Sequence, residues 1–378
     1  MTAAQGTATT AFGTVRSEFE KALATDELGA SVALDIDGEL VVDLWGGHRD
    51  PERTTPWTRD TIVNVFSSTK TVTALAILVL ADRGLIDLDA PVAAYWPEFA
   101  ANGKEEVLVR HVMGHTSGVS GWEQPVQLTD LYDLPASTAR LAAQQPWWTP
   151  GTAAGYHALS QGHLLGELVR RVDGRSLTDF VTEELAAPLG ADVQIGAREQ
   201  DWDRIAPLVP PPPVEFDMST LDPTTPAFRT MTGPAPDALA ANTPAWRRAE
   251  IGAGNGHTNA RGLVTLMRAI TLGGAAGGVR LLSDATIERI FDVQTDGPDL
   301  VNGAPMRWGM GFGLTPVDMA PYLRAGKVAW WGGWGGSIVV MDLDRRLTFS
   351  YTMNKMGGGG LTGFEQVAAF LNAAYDAL

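Results

Sequence analysis

Apolar residues at Val15, Phe19 and Leu23, set among charged neighbours, predict an amphipathic helix over 15–26. Two strand-like runs follow, 30–36 and 40–45, and Asp37-Gly38 between them is a hairpin turn signal. Residues 49–60 are polar and contain proline, as a loop would. From 67 to 83 the pattern changes. Val72, Leu75, Ala76, Ile77, Leu78, Val79 and Leu80 leave almost no polar face, so this helix belongs in the interior, with Gly84 as its stop.

Between 85 and 255 helix and loop alternate. Leu164, Leu165 and Leu168 mark a helix over 160–172 that ends before Gly174, and a second spans 177–185 with Pro188 as its boundary. Pro210 to Pro213 form a tetraproline, which is extended, and open a Pro- and Thr-rich stretch to 244. That stretch is expected to be a surface excursion lying over a site. Regular patterning returns with helices over 260–271 and 284–292, then strands over 309–314, 328–331, 337–342 and 347–354. Four glycines at 357–360 precede a closing helix over 364–378. No internal repeat is visible. The order implies an α+β fold: an antiparallel sheet built from both chain ends (1–84 and 256–378), flanked by helices, with a mostly helical domain inserted at 85–255.

Composition narrows the function. The 378 residues carry 28 Lys+Arg against 44 Asp+Glu, a formal charge of −16, with no basic cluster for a nucleic-acid backbone. There is no cysteine, so no thiolate nucleophile, disulfide or thiolate metal site. The first 14 residues lack a basic start followed by an apolar stretch, and no apolar run approaches the roughly 20 residues of a membrane span. A cytoplasmic protein without membrane or nucleic-acid partners is therefore expected; its oligomeric state is not readable. Lysine is scarce: Lys21, Lys70, Lys104, Lys327 and Lys355 stand against 23 arginines.

One of those lysines lies at the head of the all-apolar helix, three residues after Ser67. Positions i and i+3 share a helix face, so the Ser67 hydroxyl and the Lys70 amine can meet. Burial lowers a lysine pKa, and a neutral amine can take a serine proton. An N-capping serine with an ordinary helical lysine is the alternative reading of the tetrad alone. A cation at a buried helix start, however, is costly unless neutralised. The Gly-x-Ser-x-Gly elbow of α/β-hydrolases is absent.

Ser67-Ser68-Thr69-Lys70, the run Val112-Met113 to His115-Thr116-Ser117-Gly118, Pro150-Gly151 followed by Tyr156, Trp308–Leu314, and Trp331-Gly332-Gly333 continued by Trp334 occur in that order. Together they resemble the serine β-lactamase and penicillin-binding-protein superfamily over nearly the whole chain. The likeness is to its esterase branch, the family VIII carboxylesterases, similar to class C β-lactamases. The resemblance implies a β-lactamase/DD-peptidase-like fold, Ser67 as an acyl-forming nucleophile, and Lys70 with Tyr156 managing its proton. It implies an oxyanion hole from the backbone N–H groups of Ser67 and Trp334, and substrate contacts at Trp331, Gly332, Gly333 and Trp334. A phenol near a lysine ammonium is expected to have a lowered pKa. Neither cofactor nor metal is implied.

Two departures bear on substrate. The family's Tyr-x-Asn is here Tyr156-His157-Ala158, and its Lys-Thr-Gly begins with Trp331. An alanine cannot hydrogen-bond a lactam amide through its side chain, and an indole cannot attract a carboxylate as an ammonium does. The expectation is a serine esterase for short-chain, neutral esters. Acyl transfer from the same acyl-enzyme, and β-lactamase or D-Ala-D-Ala peptidase activity, are the alternatives; a non-catalytic binding protein is disfavoured by the retained Ser67, Lys70 and Tyr156. Of the six histidines, His111 and His115 sit four apart, a spacing that leaves a two-His metal site open, though no acid partner is evident. His157 beside Tyr156 is expected to turn to the surface. The tryptophans Trp147, Trp148, Trp330, Trp331 and Trp334 flank the motifs, either as pocket walls or as core.

Overall fold

Asp37 and Gly38 adopt φ of +52° and +88°, the left-handed pair that a tight hairpin requires, and the expected hairpin forms there. It contributes Gly29–Ile36 (β2) and Glu39–Gly47 (β3) to a nine-stranded sheet, with Gln5–Ala8 (β1) on the edge of β3. The C-terminal part supplies Thr295–Pro298 (β4), Pro305–Trp308 (β5), Gly313–Leu314 (β6), Val328–Gly332 (β7), Ile338–Asp342 (β8) and Leu347–Met353 (β9). The order is β1-β3-β2-β9-β8-β7-β6-β5-β4, every pair antiparallel. This computed structural model describes residues 4–211, 222–358 and 365–378.

The two chain ends meet at the β2–β9 seam, where Leu347 pairs with Ile36 and Met353 with Ala30. Five longer helices surround the sheet: Gly13–Thr25 (α1), Thr69–Asp82 (α2), Ser160–Asp173 (α3), Ala260–Thr271 (α4) and Glu365–Tyr375 (α5). Strand alternation divides the faces. Val32, Leu34, Phe349 and Tyr351 join the cluster that holds α1 and α5, where Phe19 meets Phe370 edge-on at 5.9 Å. On the other face Ala33 packs with Ala260 and Val264 of α4, and the Thr271 and Thr348 hydroxyls hydrogen-bond at 2.9 Å.

Helix α2 is buried from Thr69 to Leu80, as its unbroken apolar pattern predicts. It shares one apolar core with Leu164, Leu165 and Leu168 of α3 and with Met341 of β8, so the core crosses both expected domain limits. A small sheet does the same, joining Val63-Asn64, Val193–Ile195 and Gly256–Thr258.

Three local differences have physical causes. Of the run expected as one strand at 309–314 only Gly313-Leu314 (β6) is a strand, because Gly309 to Phe312 turn between it and β5. Gly311 has φ +86°, and a Cβ there would lie 2.5 Å from that of Ala74 on α2. Pro188 does not end its helix: a wide π-type turn at Val181–Ala186 leads on into Ala187–Leu189, and Gly190, at φ +65°, ends it. The edge strands β1 and β4 were not anticipated, since their short polar sequences carry no alternation. Pro212 and Pro213 of the tetraproline, and the glycines at 359–360, lie outside the described residues. No helix among the described residues is long and apolar enough to cross a membrane.

Candidate active site

Strand residues Val63-Asn64 pair with His257-Thr258, and Val65 donates to the Gly256 carbonyl at 2.9 Å. The chain then reverses. Phe66 has φ +40°, a strained region for a residue with a Cβ, and its ring is held between Trp246 (6.1 Å) and Trp334 (5.2 Å). Three successive turn bonds, Ser68 N–H to Val65, Thr69 to Phe66 and Lys70 to Ser67, wind into α2. Ser67 stands on the outside of this turn and is the one residue from 61 to 70 that is not buried. Local backbone geometry thus presents a single hydroxyl from an otherwise closed segment.

Lys70 follows one turn later, 1% exposed and without a carboxylate partner among the described residues. Its Nζ lies 2.8 Å from the Ala158 carbonyl, 2.9 Å from that of Ala253 and 3.1 Å from Ser67 Oγ. Burial pushes its pKa well below the ordinary lysine value. A neutral Lys70 amine would give its two N–H bonds to the two carbonyls and have its lone pair left for Ser67.

Tyr156 completes the cluster: its hydroxyl donates to Ser67 Oγ at 2.7 Å, and its ring lies 4.8 Å from Lys70 Nζ. The lowered phenol pKa expected beside a lysine ammonium does not hold. Burial raises the Tyr156 pKa; its bond to Ser67 and the nearby Trp331 indole only oppose that rise. The phenol therefore stays a donor to Ser67 Oγ.

The N–H groups of Ser67 and Trp334 donate to no protein acceptor among the described residues. The turn carrying Trp334 lies against the nucleophile turn. Gly333 is so close that a Cβ would fall 2.1 Å from the Val65 carbonyl. The Ser337 hydroxyl bonds that same carbonyl at 2.8 Å and the Ser68 hydroxyl at 2.9 Å.

Trp331, expected to contact substrate, lies behind Tyr156 rather than on the cavity wall. It is 2% exposed, 5.2 Å from the Tyr156 ring and 4.6 Å from Trp308. Gly332 closes β7 opposite Ile338 and, with Gly333, is likewise off the wall; Trp334 is on it. His157 is not at the surface. It is fully buried, with Nδ1 on the Gly155 carbonyl (2.7 Å) and Nε2 on the Ser117 hydroxyl (2.6 Å), because Tyr156-His157 belongs to a buried irregular segment rather than a half-exposed strand. Burial pushes its pKa down to about 3. His111 and His115 face separate partners: Nδ1 of the first accepts the Leu108 N–H (3.2 Å), Nδ1 of the second that of His157 (3.1 Å).

Above Ser67 opens a cavity of about 560 Å³, within the usual range of small-molecule sites. Phe66, Trp122, Leu159, Met231, Trp246 and Trp334 make much of its wall, and among the described residues no lysine or arginine lines it. Thr230, Met231, Pro234 and Asp237, from the described part of the Pro- and Thr-rich stretch, line the cavity. Sequence reasoning missed the carbonyls of Ala158 and Ala253, since a backbone acceptor leaves no mark in residue type. It also missed Asp299, whose surroundings (Asp296-Gly297-Pro298) read as an ordinary turn.

Comparison with known proteins fits this geometry. The beta-lactamase family model matches residues 15–371. The chain belongs to the beta-lactamase family. It is similar to a crystallised family VIII carboxylesterase, 39% identical with a TM-score of 0.92, covering 99% of this chain and all of that one. A penicillin-binding-protein homologue from Caulobacter crescentus is 36% identical with a TM-score of 0.90, over 99% of this chain and all of its own. The esterase/beta-lactamase LipL of Mycobacterium tuberculosis is 36% identical over 339 residues, 87% of this chain and 77% of its own. The beta-lactamase/penicillin-binding-protein fold expected from the motifs is the fold observed.

Proposed function

We propose that this protein is a serine esterase that hydrolyses neutral, apolar carboxylic esters of short acyl chain through an acyl-enzyme on Ser67. The observation that carries the proposal is Ser67 Oγ, bonded by both Lys70 Nζ and Tyr156 Oη, on the floor of an apolar cavity whose wall carries no cation among the described residues. The carboxylesterase and LipL relatives support it.

In this reading Ser67 Oγ attacks the ester carbonyl carbon as its proton passes to Lys70. The Ser67 and Trp334 N–H groups receive the oxyanion. The carbon–oxygen bond to the alcohol breaks, the leaving oxygen takes a proton from Tyr156, and the Lys70 ammonium restores that proton. Water then enters, gives its proton to the same relay, and releases the acid with Ser67 free.

A penicillin or cephalosporin carries a carboxylate, and its recognition uses a cation that the cavity wall lacks. LipL is named for both activities, so a lactam belongs in the test. The test is a panel of p-nitrophenyl acetate, butyrate and longer esters beside a cephalosporin. Faster cleavage of the cephalosporin than of acetate and butyrate would overturn the proposal.

A further inference from the structure

Asp299 is 2% exposed and forms no ion pair among the described residues, yet both its oxygens are occupied. Its Oδ1 accepts the backbone N–H groups of Tyr156 (3.0 Å), Val301 (2.9 Å) and Asn302 (2.9 Å). Its Oδ2 accepts the Trp308 indole N–H at 3.1 Å. A buried carboxylate without a cation is costly unless several donors hold it, and here four do.

Two of those donors lead to the same side chain. One is the Tyr156 backbone itself. The other belongs to Trp308, whose ring lies parallel to the Tyr156 ring, 6.0 Å away with an interplanar angle of 5°, and edge-on to His115 at 4.2 Å. The loop after Asp299 is tied to the same segment, since Leu300 donates to the Ala154 carbonyl at 2.8 Å. Asp299 thus grips Tyr156 from its backbone and from the plate its phenol rests on. The Asp299 charge also works against ionisation of that phenol.

We propose that Asp299 is a positioning residue for the proton relay: it fixes where the Tyr156 hydroxyl meets Ser67 Oγ, by holding the Tyr156 backbone and the Trp308 ring together. The proposal rests on the relay role given to Tyr156 above. Misplacing a reacting group by about 1 Å can cost about 100-fold in rate.

The test is the rate at which a p-nitrophenyl phosphonate modifies Ser67, resolved into reagent affinity and bond-forming rate. Asp299→Asn, which keeps the oxygen that the three backbone donors need, is expected to slow bond formation about 10- to 100-fold with affinity unchanged. In a Tyr156→Phe background the same change is expected to cost little more, because the group it positions is gone. Equal losses in both backgrounds, or a loss confined to affinity, would overturn the proposal. If Asp299→Asn does not fold, Trp308→Phe decides the question: it keeps a ring beside Tyr156 and removes the donor to Oδ2. An unchanged bond-forming rate in that variant overturns the proposal. A wild-type protein that reacts with the phosphonate but cleaves no ester removes the esterase reading alone and leaves this test intact.

Discussion

A buried amine with two carbonyls in front of its hydrogens has one direction left for its lone pair, and at Lys70 that direction is Ser67. The same burial lowers the Lys70 pKa and raises that of Tyr156, so one environment pushes the two groups toward opposite proton roles around one oxygen. Lys70→Met, similar in volume and free of polar hydrogens, should fold and lose roughly 1,000-fold in kcat. Near-normal turnover in that variant would remove Lys70 as base. The sign of the pH dependence follows from the direction of its shift. The working form is the neutral amine, so kcat/KM should rise with pH and level off well below 10.5; a rise that continues to that pH would contradict it. The Ser67–Lys70 pair was legible in the sequence because its geometry is local. The burial that decides which group holds the proton is not a property of the tetrad.

At the level of elements, the turn after β7 and the turn before α2 meet through Ser337, which spans the Val65 carbonyl and the Ser68 hydroxyl. Ser337→Ala leaves the buried Ser68 hydroxyl unpaired and should lower stability by about 1–3 kcal/mol in urea unfolding. Because the contact also sets the Trp334 turn beside Ser67, kcat should fall as well; a stable, fully active variant would show the two turns to be independent. A second junction lies between α1 and β2, where the buried Glu27 accepts the Tyr351 hydroxyl at 2.5 Å. Desolvation raises the Glu27 pKa from 4.5 to about 7. Its folded-state pKa is the higher one, so the stability it allows is full below pH 4.5 and is lost as pH rises through about 7. From pH 5 to 8, Glu27→Gln should therefore gain on the wild type, by up to about 3 kcal/mol. A stability difference that does not vary with pH would count against this. Most helices and central strands were legible because each carries its own period, as α2 and the β2–β3 hairpin show. The edge strands β1 and β4 were not, because only their neighbours make them strands.

For the whole molecule, the formal charge of −16 and the absence of a cation among the described residues of the cavity wall act in the same direction. Anionic esters meet long-range repulsion with nothing at the site to offset it. Screening acts on charge alone, so raising salt from 0.01 to 0.15 M should increase kcat/KM for an anionic ester and leave a neutral one nearly unchanged. Equal responses from both esters would show that the overall charge does not govern encounter. The same scale holds the continuous core, in which α2 joins the helical middle to the sheet.

By itself the sequence determined the ordered motifs, the Ser67–Lys70 spacing, the presence of Ala158 and Trp331 in those motifs and the exclusion of thiol chemistry. These depend on residue type and short separation, which a linear string records. Tertiary structure alone decided that Trp331 stands behind Tyr156, that His157 is buried, that backbone carbonyls from 158 and 253 aim the Lys70 amine, and that Asp299 grips the Tyr156 segment. Those features arise where segments 40 to 183 residues apart meet away from water. Desolvation and backbone hydrogen bonds set the chemistry there, and neither is written in any one stretch of the chain.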